Sequence, residues 1–167
     1  MTPLLTDWVS SPDPDVESAI ARIAAICPVN YVGGLERIQA FLPKIGNPHH
    51  RLPPTFHVAG TNGKGSTLAF LQAIFEAGGK RVHKYISPHL VRFEERIVLS
   101  GQMIERDLFL SLIRECETAA QGMDISFFEF FTALALLAFS RTPADVLLLE
   151  TGLGGRLDAT NVIENNV

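Results

Sequence analysis

Two features carry residue types suited to chemistry on phosphate: a glycine-rich stretch built around one lysine, and an acid that closes an apolar run. The first is HVAGTNGKGSTLAF, His57 to Phe70. A standard phosphate-binding loop reads G-x-x-x-x-G-K-[ST], with the hydroxyl directly after the lysine. Here Gly65 follows Lys64, Ser66 and Thr67 come one step late, and Val58 holds the place of the first glycine. Gly60, Gly63 and Gly65 would let the backbone approach phosphate oxygens, Lys64 would supply a point charge, and Ser66 would cap a helix or face a cation. The plain alternative is a tight turn with a surface lysine. The second feature is DVLLLE, where Glu150 follows four apolar residues in the manner of a Walker B acid. It offers Mg²⁺ an oxygen ligand, or is simply an exposed acid at a strand end.

These residues need elements to hold them. TFHVAG has the length of a short strand, and STLAFLQAIFEAGG repeats apolar residues at Leu68, Leu71, Ile74 and Phe75 before Gly78 and Gly79 stop it. RVHKYI supplies a following strand, so 55–86 reads as a β-loop-α-β unit. A glycine loop between strand and helix aims backbone N–H groups and the helix dipole at an anion. Upstream, SSPDPDVESAIARIAAI has helix caps and a stripe of Val16, Ile20, Ile23 and Ile26, and GGLERIQAFLPKIG reads as a second short helix. NPHHRLPP is a loop. Downstream, RIVLSGQMI reads as a hairpin about Ser100-Gly101, ERDLFLSLIRECETAA and SFFEFFTALALLAFS as helices, DVLLLE as a buried strand and TGLGGRLDATN as the loop at its carboxyl end. Alternating strands and helices predict an α/β fold, a mostly parallel sheet with helices on both faces.

Composition narrows the partners. Apolar residues make up 47% and charged residues 19%, which excludes disorder, and 167 residues suffice for a real core. A formal charge of −4 argues against binding nucleic acid by bulk electrostatics. The most apolar stretch, ISFFEFFTALALLAF, is interrupted by Glu129 and falls short of the roughly 20 residues of a membrane span. With no basic, apolar leader at the N-terminus and two distant cysteines, Cys27 and Cys116, the expectation is a cytoplasmic protein with buried thiols.

GTNGKGST resembles the ATP loop of the Mur-ligase superfamily, enzymes that join an amino acid to a carboxylate. GLERI, HVAGTNGKGS, SPHLVRFEERI, FFEFFT and LLLETGLGGRLDATN resemble, in order from about Gly33 onward, the folylpolyglutamate synthase/dihydrofolate synthase family. The resemblance implies a P-loop-containing, Mur-ligase-like ATPase domain. ATP would phosphorylate a pteroate or folate carboxylate, and the amine of L-glutamate would displace phosphate. Substrates would be 7,8-dihydropteroate or tetrahydrofolate, with ATP and Mg²⁺ as cofactors, and the enzyme would be a monomer.

On that resemblance Gly60, Thr61, Asn62, Gly63, Lys64, Gly65 and Ser66 hold ATP, with Lys64 in the catalytic role, and Ser87 and Glu150 bind the metal. Three pieces would lie against the pterin: Val32, Gly33 and Gly34; Ser126, Phe127, Phe128 and Glu129; and Leu157, Asp158 and Ala159. Phe128 would stack on the heterocycle and Asp158 would pair with its N–H donors. Other uses stay open. Ser126 and Glu129 also fit a capping box, S-x-x-E, and the phenylalanines fit a core. His89 would fix its loop by hydrogen bonds, His57 would pack, Arg92 and Arg96 would meet anionic groups or form surface pairs, and His49, His50 and His83 carry nothing beyond exposure. Residues 1–54 would be a helical segment leading into the first part of an ATP-binding domain, 55–167. The family's C-terminal ligase domain is absent from this sequence, which would leave the chain inactive alone. Another Mur-type amino-acid ligase and a non-catalytic P-loop nucleotide-binding module remain the alternatives; a GTP switch would need an N-K-x-D motif, which does not occur.

Overall fold

A computed structural model describes residues 11–28 and 33–163 of the chain. In order, these form α1 (Pro14–Ile26), α2 (Glu36–Phe41), β1 (Thr55–Val58), α3 (Lys64–Ala77), β2 (Val82–Tyr85), β3 (Ile97–Leu99), β4 (Gln102–Met103), α4 (Arg106–Ala119), α5 (Phe127–Arg141) and β5 (Val146–Glu150). Short 3-10 turns occupy Leu42–Ile45, Pro48–Arg51, Phe93–Arg96 and Ala159–Val162.

The strands form one sheet in the order β1-β5-β2-β3-β4. β5 lies parallel between β1 and β2, with Glu150 opposite Val58 and Leu149 opposite Tyr85. β3 and β4 add an antiparallel hairpin, turning at Ser100 (φ 51°) and Gly101 (φ 87°). The apolar run VLLLE is therefore the inner parallel strand, covered on both faces. Its side chains alternate between two clusters. Leu147 and Leu149 join the larger one, with α1, α2, α4 and α5, whereas Val146 and Leu148 meet Leu68 of α3 and Val82. The residues before 55 thus share a core with the later helices.

Local chemistry explains the helix boundaries. Asp13 caps α1 by accepting N–H bonds from Asp15 and Val16 at 3.0 and 3.1 Å, and Pro14 fits the first turn. α5 is buried nearly all round, as its uniform apolarity demands, and it starts at a reciprocal capping box between Ser126 and Glu129. Among the described residues no helix is long and apolar enough to cross a membrane.

Two stripes run past their contacts. Ile26, the last residue of α1, is 56% exposed, and Ile74 of α3 is 66% exposed. The apolar period continues there beyond the surface that the helix covers. His83, expected to be exposed, is fully buried: its ring meets the Thr142 carbonyl at 2.9 Å and accepts the Ser100 N–H at 3.1 Å.

Candidate nucleotide and substrate site

Because β5 lies between β1 and β2, the segments leaving the carboxyl ends of three neighbouring parallel strands converge. From β1 comes the glycine loop, from β5 comes Glu150, and just beyond β2 stands Ser87. This is where ligands bind open α/β sheets.

Gly63 occupies the N-cap of α3 with φ 77°, a left-handed conformation that glycine adopts without strain, and no side chain caps the helix. Its first-turn N–H groups therefore lack a side-chain acceptor, the arrangement that receives an anion. Thr61, Asn62, Gly63, Gly65 and Ser66 are exposed around them. Thr67, also exposed, bonds back along the helix, its hydroxyl donating to the Gly63 carbonyl at 2.9 Å. The Lys64 ammonium donates to the Gly60 carbonyl at 3.1 Å and lies 3.7 Å from Glu150 Oε1.

Glu150 is only 6% exposed, and burial above all raises its pKa, against the opposing Ser87 N–H and the Lys64 charge. The Ser87 N–H reaches Glu150 Oε2 at a long 3.4 Å, so the carboxylate keeps lone pairs to spare. Among the described residues no group of three or more His, Cys, Asp or Glu side chains is placed to hold an ion. One carboxylate beside one serine fits Mg²⁺, which binds few protein oxygens and takes the rest from phosphate and water. Ser87 precedes a cis peptide bond to Pro88.

The second group of expected residues lies on the α5 side of the sheet. Phe128 is half-buried, 6.5 Å from Tyr85 between ring centroids, and its ring rests on Gly152: a Cβ there would lie 2.4 Å from Phe128 Cζ. The Leu157 carbonyl accepts the Gly34 N–H at 3.4 Å, and Leu157 itself is 49% exposed. Gly33, Gly34, Phe128 and Leu157 thus border an accessible region. Val32 lies outside the described residues.

The remaining expected side chains are committed elsewhere. Ser126 and Glu129 cap each other, at 3.3 Å to the Ser126 hydroxyl and 2.8 Å back to Glu129, and Arg37 grips both Glu129 oxygens at 3.0 Å. Phe127 is buried among Phe93 and Phe131. Asp158 is fully buried, one oxygen accepting Leu153 N–H at 2.8 Å and the other accepting from Thr160 N–H and its hydroxyl at 3.0 and 2.5 Å. These bonds make it an internal clamp of the loop, and Ala159 beside it is buried.

Arg37 and Gly152, which the sequence did not single out, hold this region, as does His57, expected only to pack. His57 meets the Thr160 hydroxyl at 2.8 Å. Since that hydroxyl donates its proton to Asp158, it accepts from His57 Nε2–H, which ties β1 to the loop after β5. His89 is buried and accepts the Arg96 Nε–H at 3.0 Å. Arg96, expected at the surface or on an anion, is buried with its guanidinium 4.2 Å over the Phe93 ring. Lone glycines and polar residues inside a motif look the same in sequence whether they meet a ligand or a neighbour.

A glycine loop opening a helix, a strand-end acid beside it and a mostly parallel sheet clad on both faces define an α/β unit with a Mur-ligase-like fold. No family model matches the chain. The dihydrofolate synthase/folylpolyglutamate synthase of Escherichia coli (strain K12) is 42% identical over 136 residues, covering 80% of this chain and 32% of that protein. Among solved structures, E. coli FolC in complex with DHPP and ADP superposes with a TM-score of 0.82 at 37% identity, covering 91% of this chain and 36% of that one. A bifunctional folylpolyglutamate synthase/dihydrofolate synthase with Mn, AMPPNP and L-glutamate bound gives 0.79 at 36% identity, covering 94% and 38%. The chain is a homologue of the dihydrofolate synthase/folylpolyglutamate synthases, and it spans about a third of the length of the relatives it matches.

Proposed function

We propose that this chain supplies the nucleotide and heterocycle sides of an ATP- and Mg²⁺-dependent ligase that joins L-glutamate to a pteroate or folate carboxylate. The single observation that carries the reading is the meeting of the Lys64 loop, Glu150 and Ser87 at one sheet edge, with Phe128, Gly152, Leu157 and Gly34 on the other side of β5. Support comes from relatives whose structures hold DHPP with ADP, or AMPPNP with Mn and L-glutamate.

A carboxylate resists attack because its charge and resonance repel nucleophiles, and ATP removes that resistance by making an acyl phosphate. Gly60, Thr61, Asn62, Gly63, Gly65 and Ser66 would cradle the phosphates through backbone N–H groups. Lys64 would leave the Gly60 carbonyl for a phosphate oxygen and stabilise the charge on the transferring group. Glu150 and Ser87 would hold Mg²⁺, which neutralises charge where the two anions meet. Phe128, seated on Gly152, would offer a ring face to a flat heterocycle, with backbone from Gly33, Gly34 and Leu157 at its edge.

Residues 1–54 would serve as the helical lead into the first part of an ATP-binding domain at 55–167. Glutamate capture would belong to a ligase domain outside these 167 residues, so no ligation by this chain alone is expected. The working form would be monomeric and cytoplasmic, with small-molecule partners and no nucleic acid or membrane. Direct titration with 7,8-dihydropteroate and with a muramyl peptide precursor separates this reading from another Mur-type ligase. Saturable binding of the pterin alone is expected; preference for the precursor overturns it.

A further inference from the structure

We infer that Arg156 is an anion-binding residue placed where phosphate and substrate carboxylate meet. The inference rests on the reading above and adds a cation that no expectation had included.

The loop carrying Arg156 is held at each side. A Cβ on Gly155 would lie 3.5 Å from the Ala59 Cβ, so the loop passes against the residue that opens the glycine loop. On its other flank, the Leu157 carbonyl takes the Gly34 N–H. Arg156 therefore stands between the nucleotide side and the heterocycle side. Its backbone is fixed as well: the Asn161 side-chain amide donates to the Arg156 carbonyl at 3.0 Å, and Asp158 N–H donates to the Gly155 carbonyl at 3.0 Å. Asp158 clamps Leu153 to Thr160, and Thr160 is anchored on His57 of β1.

The side chain contrasts with this order. Arg156 is exposed, and among the described residues its guanidinium has no carboxylate partner. Several arginines that tie elements together are instead paired with acids: Arg22 with Glu117, Arg37 with Glu129, Arg81 with Asp145 and Arg141 with Glu115. Asp158, the acid nearest in sequence, is spent inside the loop. A free guanidinium on a rigid loop loses little entropy on binding, and its planar fork matches a carboxylate or phosphoryl group. Such a group would add to the charge of Lys64, which lies 3.7 Å from Glu150, and of Mg²⁺ as a carboxylate approaches a triphosphate.

Calorimetric titration of the 167-residue chain and of Arg156→Gln and Arg156→Lys tests this, with Mg·ATP against Mg·ADP and 7,8-dihydropteroate against a pterin lacking the carboxylate. Arg156→Gln is expected to weaken ATP, dihydropteroate or both by roughly tenfold or more, as for a lost charge-assisted hydrogen bond. ADP and the carboxylate-free pterin would be unaffected, the melting temperature unchanged, and the lysine variant intermediate. Loss confined to ATP assigns the γ-phosphate; loss confined to dihydropteroate assigns the carboxylate. Affinities within twofold of the parent for every ligand overturn the inference, as does a lowered melting temperature, which would make Arg156 structural. Parent binding of ATP that needs Lys64 but not Arg156 sinks this inference alone, whereas a folded parent that binds none of the ligands sinks the function with it.

Discussion

Glu150 carries a cost of burial that Lys64 and the Ser87 N–H offset only in part. Buried at the end of an apolar strand, it holds its proton more tightly folded than unfolded, because desolvation outweighs the Lys64 charge and the Ser87 N–H. Its contribution to stability is thus greatest below the usual carboxylate range and is lost as pH rises through the raised folded value. Glu150→Gln is expected to melt at or above the parent temperature at neutral pH, with the gap closing as the pH is lowered, while nucleotide binding falls. Thermal unfolding from pH 4 to 8 checks it; a variant that melts well below the parent at neutral pH contradicts it. Lys64 and Glu150 stand out in sequence because a charge amid glycines, or directly after a valine and three leucines, is anomalous for a core. Asp158 and Glu129 stayed open to two readings in sequence for the converse reason. A buried acid satisfied by backbone N–H groups or by Arg37 is spelled like one awaiting a ligand, and only the fold shows which oxygens are taken.

At the scale of elements, the seat of α5 on the loop after β5 decides the shape of the heterocycle side. Phe128 lies one residue into α5 from a capping box that fixes its direction, and Gly152 lacks the Cβ that would strike its ring at 2.4 Å. Gly152→Ala is expected to push the ring away, costing about 1–3 kcal/mol by overpacking. It should weaken pterin binding more than ADP binding, since Glu150 and the glycine loop lie on the opposite face. Equal effects on both ligands in parallel titrations would contradict this division. Periodicity located each helix well but overran its contacts at Ile26 and Ile74, because period reports which residues share a face and not how far a neighbour extends. The strands were legible from short β-rich runs bounded by glycine and proline. Their order was not: that β5, last in sequence, inserts between β1 and β2 is a pairing of distant segments that no local pattern encodes.

Across the whole molecule, that insertion is what brings three separate motifs together. Glu150 opposes Val58 in register, and Tyr85 opposes Leu149, so the residues following each strand emerge side by side. Two apolar layers sandwich the sheet beneath them, a broad one under α1, α2, α4 and α5 and a narrow one under α3. Across this arrangement the glycine loop and Glu150 share one face and Phe128 lies on the other. The most direct test is calorimetric titration of the chain with ATP, with and without Mg²⁺, beside Lys64→Ala and Glu150→Gln. Saturable, Mg²⁺-enhanced binding that each substitution weakens by roughly tenfold or more is the expected result. Binding by the parent that neither substitution alters, or no binding by a parent shown to be folded, would contradict a nucleotide site at this sheet edge.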